Sequence, residues 1–210
     1  LEPTTEAPYG SSQLVVVNSN FDLRYDEKDG GTVIVVDPDL SQDPALGGQL
    51  ALLGSSRIGS FGGEVALVEG SCPASWPDCP GSCPSLRDDP VIADGGAKVV
   101  LASRSGQTIY RMSMAVDGSL QCGDGCPYTV PLQRLDPYAV SIACSERAGY
   151  PVAYAFVSHL LAANNLGWLT RVNLLASDDV LGLIMGPDGT YASIFDARTD
   201  RVFVSSSVTL

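Results

Sequence analysis

An all-β fold, organised as a β-propeller of about four blade repeats, is what this sequence predicts, and three observations predict it. Gly (22) and Pro (14) are abundant in the 210 residues, which suits many short strands joined by turns, while Lys, Glu and Gln, which fill exposed helix faces, are scarce. The stretch DPYAVSIACSERAGYPVAYAFVSHLLAANNLGWLTRVNL, from Asp136 to Leu174, holds three runs of strand length. These runs, 138–144, 152–158 and 168–174, are rich in Val, Ile, Tyr and Phe and are separated by Gly, Pro and Asn. Finally, one pattern recurs. LVVVNS, VVLASR, AYAFVS and RVFVSS each run apolar residues into a small polar one, at Asn18, Ser103, Ser158 and Ser205. With the segment 71–96 set aside, the recurring unit is roughly 45 to 60 residues long, the size of a four-stranded propeller blade.

Taken in order, residues 1–12 carry no periodicity and read as a tail. The repeats then occupy 13–210. QLVVVNS (13–19) is a strand, NFDLRYDEKDGG a polar excursion, TVIVVD (32–37) a second strand and PDLSQDPALGG a loop. QLALLG (49–54) and GGEVALVEG (62–70) alternate as two further strands. Residues 71–96, SCPASWPDCPGSCPSLRDDPVIADGG, hold five prolines and three cysteines, which exclude a central strand or a helix interior. This is an inserted loop, expected to be pinned by disulfides. Strands resume with KVVLASR (98–104) and QTIYRMSM (107–114), and a polar loop holding Cys122 and Cys126 leads into the central stretch. HLLAANNLGWL, interrupted by Asn-Asn-Leu-Gly, is expected to form a loop. After Leu174 at least two more strands follow, with GPDGT as a tight turn.

In three of the four copies a second strand follows the polar residue: TVIVVD, TIYRMS and LTRVNL, which run to Asp37, to Ser113 and through Asn173. The pairing of VVVNS with GTVIVVD resembles the YVTN-type propeller repeat, in which an inner strand ending in Asn is followed by one ending in Asp. NSNFDLRYDEKDGGTVIVVD is similar to the opening blade of such propellers in secreted or surface bacterial proteins, and DPYAVSIA is similar to their Pro-led repeat starts. The resemblance covers most of the chain outside 1–12 and 71–96, and only the first copy carries the Asn. It implies a propeller of some seven blades, so that four copies form part of a ring. The copy ending at Leu210 shows only its first two strands, which leads to the expectation that further chain or another protein completes it, unless the N-terminus closes the ring.

A net charge of −12 argues against nucleic acid and anionic membrane surfaces, both of which call for a positive face. It fits a soluble protein or one that docks on a basic partner. No apolar run reaches the roughly 20 residues of a membrane span. The opening LEPTTEAPYG, without Met, reads as a processed N-terminus. The six cysteines, Cys72, Cys79, Cys83, Cys122, Cys126 and Cys144, lie mostly among Pro, Gly, Ser and Asp. Disulfides in an extracytoplasmic protein (periplasmic, cell-surface or secreted) are favoured over metal ligation. The pairing stays open, with Cys122–Cys126 first in line because the glycines of CGDGC permit a tight loop.

No catalytic constellation emerges. His159 is the only histidine and is expected to be a loop-facing structural residue, since a relay or a His-based metal site would lack a second imidazole. No P-loop, dinucleotide fingerprint, haem motif or nucleophile elbow is present. Asp37, Asp39, Ser41 and Asp43 in DPDLSQD place oxygens at alternate positions, as a calcium loop begins. Gln42 and Gly48 then break the EF-hand pattern, so calcium is a weak expectation and an Asp-rich turn the plainer one. Trp76, Tyr128, Tyr138 and Trp168 are candidates for an aromatic surface, and Arg24 and Tyr25 for a partner contact, against packing between blades. The function expected is a non-catalytic structural or protein-interaction subunit with protein partners and no cofactor. A propeller enzyme, a lyase or hydrolase acting over the central channel, is the alternative.

Overall fold

The computed structural model describes residues 13–19, 30–39, 45, 47, 49, 51–69, 96–121, 128–134, 136–147, 150–163, 166–174, 180–186, 190–196 and 199–206. The strands within them are β1 (Leu14–Asn18), β2 (Gly31–Asp37), β3 (Ala51–Ile58), β4 (Gly62–Glu69), β5 (Ala97–Ser103), β6 (Thr108–Met114) and β7 (Leu120–Gln121). They continue with β8 (Tyr128–Pro131), β9 (Pro137–Arg147), β10 (Tyr150–Ala163), β11 (Leu166–Asn173), β12 (Val180–Gly186), β13 (Thr190–Asp196) and β14 (Arg201–Ser206). The all-β expectation holds. All the strand pairings are antiparallel and form four sheets, none of them closed.

The first sheet runs β1-β2-β3, the third β12-β11-β10-β9, and the fourth is the pair β13-β14. The second runs β4-β5-β6, and its fourth place is shared. β8 pairs with Thr108–Arg111 and β7 with Ser113–Met114. Neither β7 nor β8 was expected, because two and four residues are too few for a period to register. Residues 1–12 and most of the insertion 71–96 lie outside the described residues, as do Cys72, Cys79, Cys83, Cys122 and Cys126. Glu69 and Ala97 are register partners, so the insertion leaves and re-enters at one end of the β4–β5 ladder.

Why the chain stacks its sheets is visible in β5. A strand covered on one face alternates, whereas a strand covered on both reads as a continuous apolar run. In AKVVLAS, Val99 and Leu101 join Val33, Val35 and Ile58 of the first sheet in one apolar layer. Val100 and Ala102 point the other way and join Val140, Ala155, Val157 and Val172 of the third sheet. On β10, Phe156 faces away from that layer and packs with Ala143 and Leu169 against Phe195 and Val202 of the fourth sheet. Neighbouring sheets therefore share three successive layers, and each fully buried Val or Leu contributes on the order of 1.5–3 kcal/mol.

The four strands that carry the recurrent pattern, β1, β5, β10 and β14, each belong to a different sheet. In the second, third and fourth sheets the pattern strand is second in order, and β4, β9 or β13 precedes it. β9 packs directly against both β4 and β13. The stretch HLLAANNLGWL differs from its expected loop: β10 continues to Ala163 and β11 starts at Leu166. Cross-strand pairing of His159 with Trp168 carries the ladder through a sequence that looks broken in isolation.

Candidate functional site

Polar residues gather where the second and third sheets meet, beyond the end of their shared apolar layer. Two backbone bends define this end. Phe61, just ahead of β4, has φ 58° and Asp136, just ahead of β9, has φ 56°. The Phe61 carbonyl accepts from the Arg104 amide at 3.1 Å, and the Asp136 carbonyl accepts from the Leu160 amide at 3.0 Å. An Asp tolerates this left-handed conformation better than most side chains.

Serines tie the bends to the strands. Ser19 Oγ donates to the Gly62 carbonyl at 2.9 Å, and Ser105 Oγ donates to the Ser60 carbonyl at 2.7 Å. Ser103 Oγ donates to the Ser60 carbonyl at 3.3 Å, and Ser158 Oγ accepts from the Ala139 amide at 3.1 Å. Ser158 also donates to the Tyr191 carbonyl of β13 at 3.0 Å, and Ser205 to the Ala192 carbonyl at 3.5 Å. Three of the residues singled out by the recurrent pattern thus use their hydroxyls on backbone at or just before the preceding strand. This is why the pattern ends in a small polar residue.

Arg104 and Asp136 form an ion pair through Nε and Oδ1, with side chains 34% and 6% exposed. The second carboxylate oxygen, Oδ2, is buried and has no hydrogen-bond partner among the described groups. Two residues earlier, the Arg134 guanidinium lies 4.1 Å from the centre of the Trp168 ring, a cation–π arrangement. His159 differs from its expected loop-facing place. It is fully buried, as is Thr170, and its Nε2 lies 2.7 Å from Thr170 Oγ1. Strand β10 runs on through this position, so the ring meets the interior. A pair sealed on all sides offers substrate no access, and its chemistry is to satisfy buried polar atoms.

On the opposite side of the third sheet, the rings of Tyr138 and Tyr191 are 5.3 Å apart and tilted by 41°. The hydrogen bond with Tyr191 and partial burial raise the Tyr138 phenol above its ordinary value, Tyr191 and Glu64 add to this electrostatically, and Arg104 opposes it. A raised phenol favours the neutral folded form. The stabilisation is therefore complete below the unfolded tyrosine value, about 10, and is lost as pH rises through the higher folded value. Absorbance titration near 295 nm should show one phenol ionising late, and Tyr191→Phe should bring that phenol back down. An unchanged profile in the variant would remove the pairing.

Tyr138 serves the seam to the fourth sheet and Trp168 the seam to the second, so these two do not share one aromatic surface. Trp76, Arg24, Tyr25, Ser41 and Asp43 lie outside the described residues, as does the side chain of Tyr128. Of the calcium candidates, Asp37 is 4% exposed and its Oδ1 accepts the Asp39 amide at 2.8 Å, which is the geometry of an Asx turn. Cys144 is half-buried and disulfide-bonded, its partner lying outside the described residues.

Among the described residues, one face of the fourth sheet is open. The fourth sheet exposes Ile194 (68%) and Phe203 (53%), while Phe195 and Val202 on its other face are packed. Ile194 and Phe203 are direct cross-strand partners, so they form one apolar patch. Sequence reading missed the Arg104–Asp136 pair and the place of Ile194 beside Phe203. Asp136-Pro137 was visible as a strand-leading dipeptide, but nothing in one dimension brings Arg104 to it. No protein-family model matches the chain, and neither does any curated protein or solved structure.

Proposed function

We propose that the chain is a non-catalytic structural or protein-interaction subunit, built as a β-propeller of the YVTN-repeat type and working outside the cytoplasm within a larger assembly. The observation that carries the reading is the contrast between sheets. The second and third are covered on both faces, whereas the two-stranded fourth presents Ile194 and Phe203 to solvent. Contiguous exposed apolar side chains of this kind mark surfaces that meet another protein. The propeller is supported by four antiparallel sheets that share successive apolar layers and each hold one copy of the recurrent strand. A disulfide at Cys144 supports an oxidising compartment. The alternative of a channel-site enzyme loses its one imidazole, since His159 is sealed beneath the sheet surface.

The test is cross-linking of the native chain in its own extract, followed by purification and intact mass. Cross-links from residues 190–206 to another protein, and a mass about six hydrogens below the fully reduced value for the six cysteines, are expected. A chain that purifies free of cross-links, or with six free thiols, would sink the reading.

A further inference from the structure

We infer that His159 is an acid-sensitive latch on the seam between the second and third sheets, and that one proton taken up by its ring loosens this seam while the first sheet stays seated on the second. The ring is fully buried, beside the equally buried Thr170, whose Oγ1 lies 2.7 Å from Nε2. It stands on β10 two residues past Val157, which shares one apolar cluster with Val100, Ala102 and Ile109 of the second sheet. Trp168, its register partner, meets Arg134 across the same seam. The ring therefore sits at the end of the apolar layer that joins the two sheets, where a neutral imidazole fits and an imidazolium does not.

The charged groups around it offer little to a cation. From the second sheet come Arg104 after β5, Arg134 after β8, and Arg111 of β6, which donates through Nη2 to the Leu174 carbonyl at 3.3 Å. Among the described residues Asp136, ahead of β9, is the carboxylate in the seam, and Arg104 already holds its Oδ1. Glu64 of β4 is exposed, and Arg171 of β11 turns to the opposite face, over Tyr154. β10 itself carries no charged residue. A protonated ring would join these guanidiniums as a further cation, out of reach of water. Desolvation and like charge both oppose the charged form, so proton uptake goes with opening. The seam is closed most firmly above the unfolded histidine value, about 6.5, and weakens as pH falls below it. The chain has no other histidine, so sensitivity between about pH 6.5 and 5 falls on one group.

Proton NMR of the full chain reads the ring directly, because it gives the only imidazole signal. A titration midpoint below the ordinary value of about 6.5 is expected, and a midpoint at or above it overturns the inference. Amide hydrogen exchange measures the opening. With intrinsic rates divided out, the opening constant at residues 168–172 should rise about tenfold for each unit by which pH falls between that value and the observed midpoint, the dependence of a single proton. Residues 33–35, whose Val33 and Val35 lie in the layer between the first and second sheets, should show no such rise. A flat response at 168–172 overturns the latch. An equal rise at 33–35 overturns it too, since the whole fold and not one seam would then be giving way. His159→Gln keeps a polar group beside Thr170 and should flatten the response over this range. A variant that keeps the full response hands it to a carboxylate and overturns the inference. If the variant does not fold, the two wild-type measurements decide by themselves.

Discussion

Gly63→Val is expected to destabilise the protein by about 3 kcal/mol, near the upper end for forcing side-chain atoms into a filled site. A Cβ at this position would fall on the Tyr138 carbonyl oxygen, with the Tyr138 carbonyl carbon 3.0 Å away. The obstacle is backbone of β9, anchored in a four-stranded sheet, so it does not swing aside as a flexible side chain would. Either β4 parts from β9, opening the layer that holds Val68, Val140 and Val157, or the start of β4 unpairs. Gly106→Ala is the control. Its Cβ would meet Thr108 at an ordinary 3.5 Å in an exposed turn, and a change within about 0.5 kcal/mol is expected. Guanidinium unfolding followed by tryptophan fluorescence measures both. Equal midpoints for the two variants would mean that β4 and β9 do not approach as closely as the structure has them.

Arg104→Ala is expected to cost about 2–3 kcal/mol, below the usual figure for breaking a buried pair because Arg104 keeps a third of its side chain in water. What makes the loss large is the partner. Asp136 is 6% exposed, and its second oxygen already has no hydrogen-bond partner. Removing the guanidinium leaves a carboxylate with neither solvent nor counter-ion beside it. Asp136→Asn in the Arg104→Ala background removes that stranded charge, keeps a side chain tolerant of positive φ, and should recover roughly 1 kcal/mol. If the double variant is as unstable as the sum of the two single ones, the residues act independently and the ion pair is not what holds this bend.

The strands differ in how far they could be read from sequence, and the difference has a physical cause. β5 and β10 announce themselves, because burial on both faces demands unbroken apolar runs, and VVLA and AYAFV supply them. The serines that close these runs were visible as a recurrent feature, although their purpose was not. The bond from Ser158 to Tyr191 joins residues 33 apart and exists only once the third and fourth sheets are stacked. His159 shows the limit most plainly. Its neighbours Leu160, Leu161 and Asn164 and the later Gly167 fit a loop as well as a strand, and local sequence holds no information about Thr170 lying 2.7 Å from its ring.

The sequence by itself determined the β character, the turn-bounded strands and the recurrence of one strand pattern, since alternation, branching and turn chemistry act over a few neighbouring residues. Tertiary structure alone decided that the four copies fall in four sheets, that Arg104 reaches Asp136, that His159 is sealed, and that Ile194 remains in solvent. Those outcomes depend on which faces meet, and a face is covered or left open by residues far along the chain.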